Sequence, residues 1–347
     1  MKVGVIGLGG MGLSHAREVR RIAFVREVIG CDLSSERRAG AESDGFRTVA
    51  DVDTLVGEKP DAVIVATQPT THAAVIRACL EAGVPVLTEK PLSTDVAEGR
   101  ELVALAAAKC LHFQVGFELP YNGSIVGMRD IVDRGLIGKP RTMNLVQISG
   151  SRLRGITRVD NAGTFYEKLC HEIDLYRYFF GEPERVLAVS GPRVLDHYDC
   201  ADNVLACLQF PGGEVGNITF ITTRATHIGG GPDGAKTDHE VRGHYYEIIL
   251  SGTKGSVSYD AWTGTLELVR YNHRDDHKSE LVESINVLER YGKPEYNIPD
   301  QDRDFLTCVH EKKPLRFPAS NAQISMEWVE RAERSLALGG DWVGIDD

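Results

Sequence analysis

No stretch of this 347-residue sequence reaches the roughly 18 consecutive apolar residues that a membrane-spanning helix needs. An excess of positive charge is also missing: 39 Lys and Arg stand against 50 Asp and Glu, a formal net charge of −11. Nucleic acids and anionic membranes need a basic face that neutralises phosphates, so both are excluded as expected partners. No C-x-x-C pair occurs, and the seven cysteines (31, 79, 110, 170, 200, 207 and 308) are odd in number and scattered. They read as reduced, mostly buried small residues rather than a disulfide framework. There is no internal repeat and no low-complexity tract. What is present is an ordinary globular composition, 42% apolar and 26% charged, in a chain long enough for two cored domains. With a strand entered at once at the N-terminus, the expectation is a cytoplasmic protein whose partners are small molecules.

The first dozen residues organise the rest. Lys2-Val3-Gly4-Val5-Ile6 is a short β-prone run that leads into Gly7-Leu8-Gly9-Gly10-Met11-Gly12, a G-x-G-x-x-G turn between a strand and a helix. Glycine serves the tight turn at Gly7, close approach of a pyrophosphate at Gly9, and helix–strand packing at Gly12. A phosphate would rest on the N–H groups at the positive end of the helix, beside Gly10 and Met11. Twenty residues beyond Gly12, Val28-Ile29-Gly30-Cys31-Asp32 supplies a second strand closed by an acid, the context this motif requires.

Further on, Ala62-Val63-Ile64-Val65-Ala66 is an apolar run of the kind buried on both faces of a parallel sheet. It ends at Thr67-Gln68-Pro69, a loop that should face the ligand crevice. A helix is expected from His72 to Ala82, a strand from Val84 to Thr88 ending at Glu89-Lys90-Pro91, a helix from Leu92 to Ala108 capped by Ser93 or Thr94, and a strand from Leu111 to Phe117. After residue 119 the β-α alternation stops. Helices are expected at Ser124–Arg134 and from Gly163 to Phe180, then strands follow strands at 186–191, 203–210, 215–223, 245–251, 256–259 and 266–270. That succession implies an antiparallel sheet, with closing helices at 302–312 and 322–338. The domain division is thus 1–119 and 120–347.

Lys90 stands at a strand end; it is either a solvated turn lysine or, partly buried, a proton carrier. Glu167, His171 and Asp174 are spaced i, i+4 and i+7 and share one helix face. A carboxylate there could fix the tautomer of His171 and raise its basicity, or the pair could be a solvated polar contact. His227, Asp238, His239 and His244 flank a glycine loop in spacings that match no standard ligand set, so no metal is expected. His15, on the first helix, reads as a packing or capping residue.

These motifs in this order resemble the Gfo/Idh/MocA oxidoreductases, a family that includes glucose–fructose oxidoreductase and inositol dehydrogenases. The resemblance rests on Gly7-x-Gly9-x-x-Gly12, on Asp61 to His72, on Glu89-Lys90-Pro91, on Gly138-Lys139-Pro140 and on Glu167 to Leu175, and it spans nearly the whole chain. It implies an α/β Rossmann domain, a doubly wound parallel sheet, followed by an α+β domain built on a large open, mainly antiparallel sheet whose outer face serves a homodimer or homotetramer. The implied activity is transfer of a hydride between NAD and a hydroxyl carbon of a sugar, cyclitol or related polyol.

Lys90 matches the family's motif lysine and His171 its acid/base histidine, while Glu167 stands where an aspartate is often found. The implied cofactor set is Gly7, Gly9, Gly10, Met11, Gly12, Asp32, Arg37, Thr67, Gln68, Pro69, His72, Glu89 and Lys90. Tyr121, Asn122, Arg152, Arg154, Tyr166 and Asp174 are candidates for the substrate hydroxyls. Asp32 favours NAD by accepting hydrogen bonds from a ribose 2′-hydroxyl and repelling a 2′-phosphate, although Arg37 or Arg38 could accommodate NADP. The competing readings are a dinucleotide-binding sensor without turnover, and a lyase or glycosidase that uses NAD for transient oxidation.

Overall fold

The structure is a computed structural model that describes residues 1–150, 169–194, 200–224, 244–261, 263–272, 279–294 and 296–347. The chain divides into two compact units. One joins Met1–Tyr121 to the returning segment Asn297–Glu327; the other holds the described residues between Asn122 and Tyr296, together with Trp328–Asp347. A single cut after residue 119 differs from this division by the return of Asn297–Glu327.

In the first unit the strands are β1 (Lys2–Ile6), β2 (Glu27–Cys31), β3 (Arg47–Val49), β4 (Ala62–Val65), β5 (Val86–Thr88) and β6 (Phe113–Val115). They form one parallel sheet in the order β3-β2-β1-β4-β5-β6, with Val3 opposite both Val28 and Ala62. Every residue of β4 is buried, as its uninterrupted apolar run requires of a strand covered on both faces. The covering helices are α1 (Gly10–Val19), α2 (Ser35–Ser43), α3 (Val52–Gly57), α4 (His72–Glu81) and α5 (Val96–Ala108). The strand order reverses between β1 and β4, and the crevice beyond the carboxyl ends of those strands is where such sheets bind ligands. The strand expected over 111–117 is confined to Phe113–Val115. The cap of α5 is Asp95 rather than Ser93 or Thr94: its carboxylate accepts from the N–H groups of Ala97 and Glu98.

The second unit opens with α6 (Gly123–Asp133), β7 (Pro140–Gly150) and α7 (Cys170–Phe180). There follow β8 (Arg185–Ser190), β9 (Asn203–Gln209), β10 (Val215–Arg224), β11 (His244–Gly252), β12 (Gly255–Asp260), β13 (Thr265–Arg270), β14 (Glu280–Asn286) and α8 (Val287–Tyr291). The chain closes with α9 (Ile298–Glu311) in the first unit, α10 (Ala319–Ala337), and β15 (Val343–Gly344). The nine strands run in the order β14-β13-β12-β11-β7-β10-β9-β8-β15, and the central β7–β10 pair is parallel while the others are antiparallel.

Alternation decides which face is covered. Val204, Ala206 and Leu208 of β9 are buried, while Leu205 points outward, 52% exposed. On the covered face the Tyr176 ring of α7 packs against Gly216, where a Cβ would come within 2.1 Å of the ring, and its hydroxyl donates to the carbonyls of Met143 and Asn217. Sheet and helix are thereby fixed at the centre of the second unit.

Candidate active site

The glycine turn is built as its sequence demands. Gly7 has φ +92°, its N–H donates to the Cys31 carbonyl at 2.8 Å, and a Cβ there would meet the Ala66 carbonyl oxygen at 2.5 Å. A Cβ on Gly12 would lie 1.7 Å from the Gly7 carbonyl oxygen, so only glycine lets α1 approach β1 this closely. Gly9 and Gly10 differ: a Cβ on either meets nothing within 4 Å. The turn is therefore packed on its inner side and open on its outer side. Gly9 is the N-cap of α1 and brings no side-chain cap to the first turn.

Asp32, directly after β2, is 8% exposed. Its Oδ2 accepts from the Leu8 N–H at 2.7 Å and its Oδ1 from the Ser34 N–H at 2.8 Å, which locks the carboxylate to the glycine turn. The Arg37 guanidinium approaches Oδ2 at 3.5 Å. Arg38 is engaged elsewhere, donating to the carbonyls of Asp32 and Leu33.

The ends of β4 and β5 are tied together by one imidazole. His72 is fully buried, with Nδ1 2.7 Å from the Pro91 carbonyl and Nε2 3.2 Å from that of Thr67. Burial lowers its pKa, while the carbonyls of Pro91 and Thr67 partly oppose that by favouring the protonated ring. His72 thus braces the loop of Thr67, exposed Gln68 and Pro69 against the Lys90–Pro91 turn from beneath. Lys90 is half-buried and joins Pro91 through a cis peptide.

Glu89 turns inward. Its N–H donates to the Val65 carbonyl at 2.7 Å, and its carboxylate lies 2.9 Å from Nε2 of His15 on α1. The other ring nitrogen of His15 meets Asp302 of α9 at 2.8 and 3.0 Å. Burial disfavours a charged His15, yet the Asp302 carboxylate, and then Glu89, more than offset it and raise the imidazole pKa to about 10. Burial also opposes a charged Glu89, but His15, Lys90 and His72 together hold its pKa below the ordinary value. Asp302 is a participant that the sequence reading missed; its signal was an acid on the buried face of α9 beside Ile298, Gln301, Phe305 and Leu306.

In the second unit, His171 lies in the first turn of α7, 9% exposed, next to buried Glu172. Asp174 faces Arg177 at 3.5 Å, and Arg177 also holds Glu182. Asn122 is buried at the start of α6. Tyr121, in the first unit, is buried with its hydroxyl donating to Asp304 at 2.7 Å and its ring edge-on to Phe317. Glu167, Tyr166, Arg152 and Arg154 lie outside the described residues, as do His227, Asp238, His239 and the side chain of His244.

In the first unit, then, an open glycine turn, an anchored acid and two strand-end loops come together at the point where the strand order reverses. A dinucleotide fits these features: Gly9 and Gly10 leave room for a pyrophosphate against the positive end of α1, and Asp32 is placed for a ribose.

Comparison with known proteins agrees. Residues 1–117 match the NAD-binding Rossmann fold of the Gfo/Idh/MocA oxidoreductase family, and residues 129–345 match that family's C-terminal alpha/beta domain. Inositol 2-dehydrogenase 2 of Mycolicibacterium vanbaalenii is 35% identical over 234 residues, 64% of this chain and 67% of that one. Inositol 2-dehydrogenase of Rhodococcus erythropolis is 34% identical over 198 residues, 55% of this chain and 56% of its own length. Among solved structures, GenD2 from gentamicin A biosynthesis, in complex with NAD, superposes over the whole of this chain and 97% of its own with a TM-score of 0.81 at 21% identity, a likeness of fold. Sequence motifs, fold and family matches converge: the chain belongs to the Gfo/Idh/MocA family of NAD-dependent oxidoreductases.

Proposed function

We propose that this protein is an NAD-dependent dehydrogenase that oxidises a hydroxyl carbon of a cyclitol or sugar, with inositols as the first substrates to test. The observation that carries the reading is the placement of Lys90 at the end of β5, on a turn held by His72 to the β4 loop of the same dinucleotide crevice. Relatives named inositol 2-dehydrogenase direct the choice of substrate.

NAD, when bound, supplies a two-electron acceptor for the hydrogen leaving the substrate carbon. Gly9, Gly10 and the first turn of α1 hold its pyrophosphate, Asp32 its ribose, and Thr67, Gln68 and Pro69 flank it at the next strand end. Lys90 donates a hydrogen bond to the reacting hydroxyl and polarises its oxygen. By the resemblance to the family, His171 is the residue assigned to accept the hydroxyl proton, a task that Lys90 could take instead. Glu167 orients His171 or binds a second hydroxyl. Tyr121 and Asp174 are already committed to Asp304 and Arg177, so neither is assigned to the substrate.

The outer face of the large sheet suits a second copy of this chain. The register puts Val189, Leu205, Thr219 and Val146 in one outward row across β8, β9, β10 and β7. Replacing Lys90→Met and His171→Ala should each lower kcat by about a hundredfold or more, with NAD affinity retained. Full turnover in both variants would overturn the assignment.

A further inference from the structure

His15 is a polar side chain that a dinucleotide helix has no evident reason to bury, yet it is 1% exposed and both of its ring nitrogens meet carboxylates. The partners come from separate parts of the first unit: Glu89 from the end of β5, one residue before Lys90, and fully buried Asp302 from α9. His15 itself lies on α1, three residues after Gly12. We propose that His15 is a positioning residue for the reaction: clamped by Asp302, it fastens the turn that carries Lys90 to the helix that receives the dinucleotide. This role rests on the assignment of Lys90 made above.

Two consequences give the clamp a chemical meaning. With a carboxylate on each nitrogen, the ring can donate both hydrogen bonds only as an imidazolium, and the two acids favour that form by more than burial disfavours it. The cation in turn keeps Glu89 ionised although it is largely buried, placing a fixed negative charge beside Lys90. The charged or titratable groups around Glu89 are His15 from α1, Lys90 on its own turn and His72 from α4; around His15 they are Asp302 and Glu89. Held in this way, Glu89 fixes the start of the turn from which Lys90 reaches the substrate oxygen. Without His15, a buried carboxylate would be left without its hydrogen-bonded cation, and the turn would be free to move away from α1.

The test uses full-length wild type and the variants H15Q, E89Q and K90M. Ring-nitrogen NMR of the wild type should find His15 doubly protonated up to about pH 9; a ring that titrates near the ordinary histidine range overturns the clamp, whatever the substrate proves to be. With myo-inositol and NAD as the assay pair, H15Q should lose about tenfold or more in kcat while its KM for NAD stays within about threefold. E89Q, which removes the carboxylate that His15 holds, should show a comparable loss in kcat with its KM for NAD likewise within about threefold. A dead K90M beside an H15Q with unchanged kcat and pH profile overturns the positioning role and leaves Lys90 in place. An active K90M overturns the Lys90 assignment instead, while the NMR titration still decides the clamp.

Discussion

The four glycines of the turn have separable jobs, and two substitutions tell them apart. Gly12→Ala puts a methyl group 1.7 Å from the Gly7 carbonyl oxygen, which neither helix nor strand can relieve without moving. It should lower Tm markedly whether or not NAD is added. Gly9→Ala meets nothing within 4 Å, so the stability without ligand should change by no more than the roughly 0.5 kcal/mol typical of a neutral surface change, leaving Tm nearly unmoved, while NAD affinity falls because the methyl group enters the pyrophosphate's space. Equal Tm losses in both variants would refute this division of labour. His15 makes a pH prediction of definite sign. Its folded pKa, about 10, lies above the 6.5 of the free side chain, so its contribution is fully present below that value and is lost as pH rises through about 10. Thermal melts of wild type should therefore weaken across that window, and melts of H15Q should weaken less. Gly7 and Gly12 were legible in the sequence because their constraints are local to one turn, and Asp32 because it closes the next strand at the fixed spacing of about 20 residues that the motif requires. The environment of His15 was not, because Asp302 is 287 positions away and no periodicity announces which acid a buried histidine will meet.

Elements with strong signals were read to within a few residues. The all-apolar run of β4 and the alternation of β9 express burial on two faces and on one face, respectively. Weak elements escaped: Glu280–Asn286 forms the edge strand β14 although most of it is exposed, and the two-residue β15 exists only because β8 is there to pair with it. The charged segment after Asp32 forms α2, with Ser34 accepting from the Arg37 N–H as its cap and a single residue, Ala41, buried, so no apolar periodicity announces it. Ser93 and Thr94 were plausible caps of α5 by residue type, but Asp95 holds the position, so Asp95→Ala should cost about 1 kcal/mol in denaturant unfolding. Tyr176→Phe should cost a comparable amount, about 1–2 kcal/mol, by leaving the buried carbonyls of Met143 and Asn217 without its hydroxyl. A stability unchanged within error in either variant would contradict the role given to that side chain.

At the scale of the whole molecule, two expectations concern partners. The outward row that includes Leu205 should be covered by a second copy, so light scattering should find an oligomer that Leu205→Glu weakens; a monomeric wild type would refute it. Asp32, locked to Leu8 and Ser34, disfavours a 2′-phosphate, so kcat/KM should be at least about tenfold higher with NAD than with NADP. Among the described residues no helix is long and apolar enough to cross a membrane. The family's chemistry was legible in the order of motifs along the chain, whereas the substrate depends on side chains that no spacing rule connects. The most direct test of the account is therefore the rate of NADH formation by the wild-type protein with NAD and a panel of inositols, free sugars and glycosides. The account predicts NADH formation that depends on one cyclitol or sugar class and is lost in Lys90→Met; a protein that binds NAD yet forms no NADH with any member of the panel would contradict it.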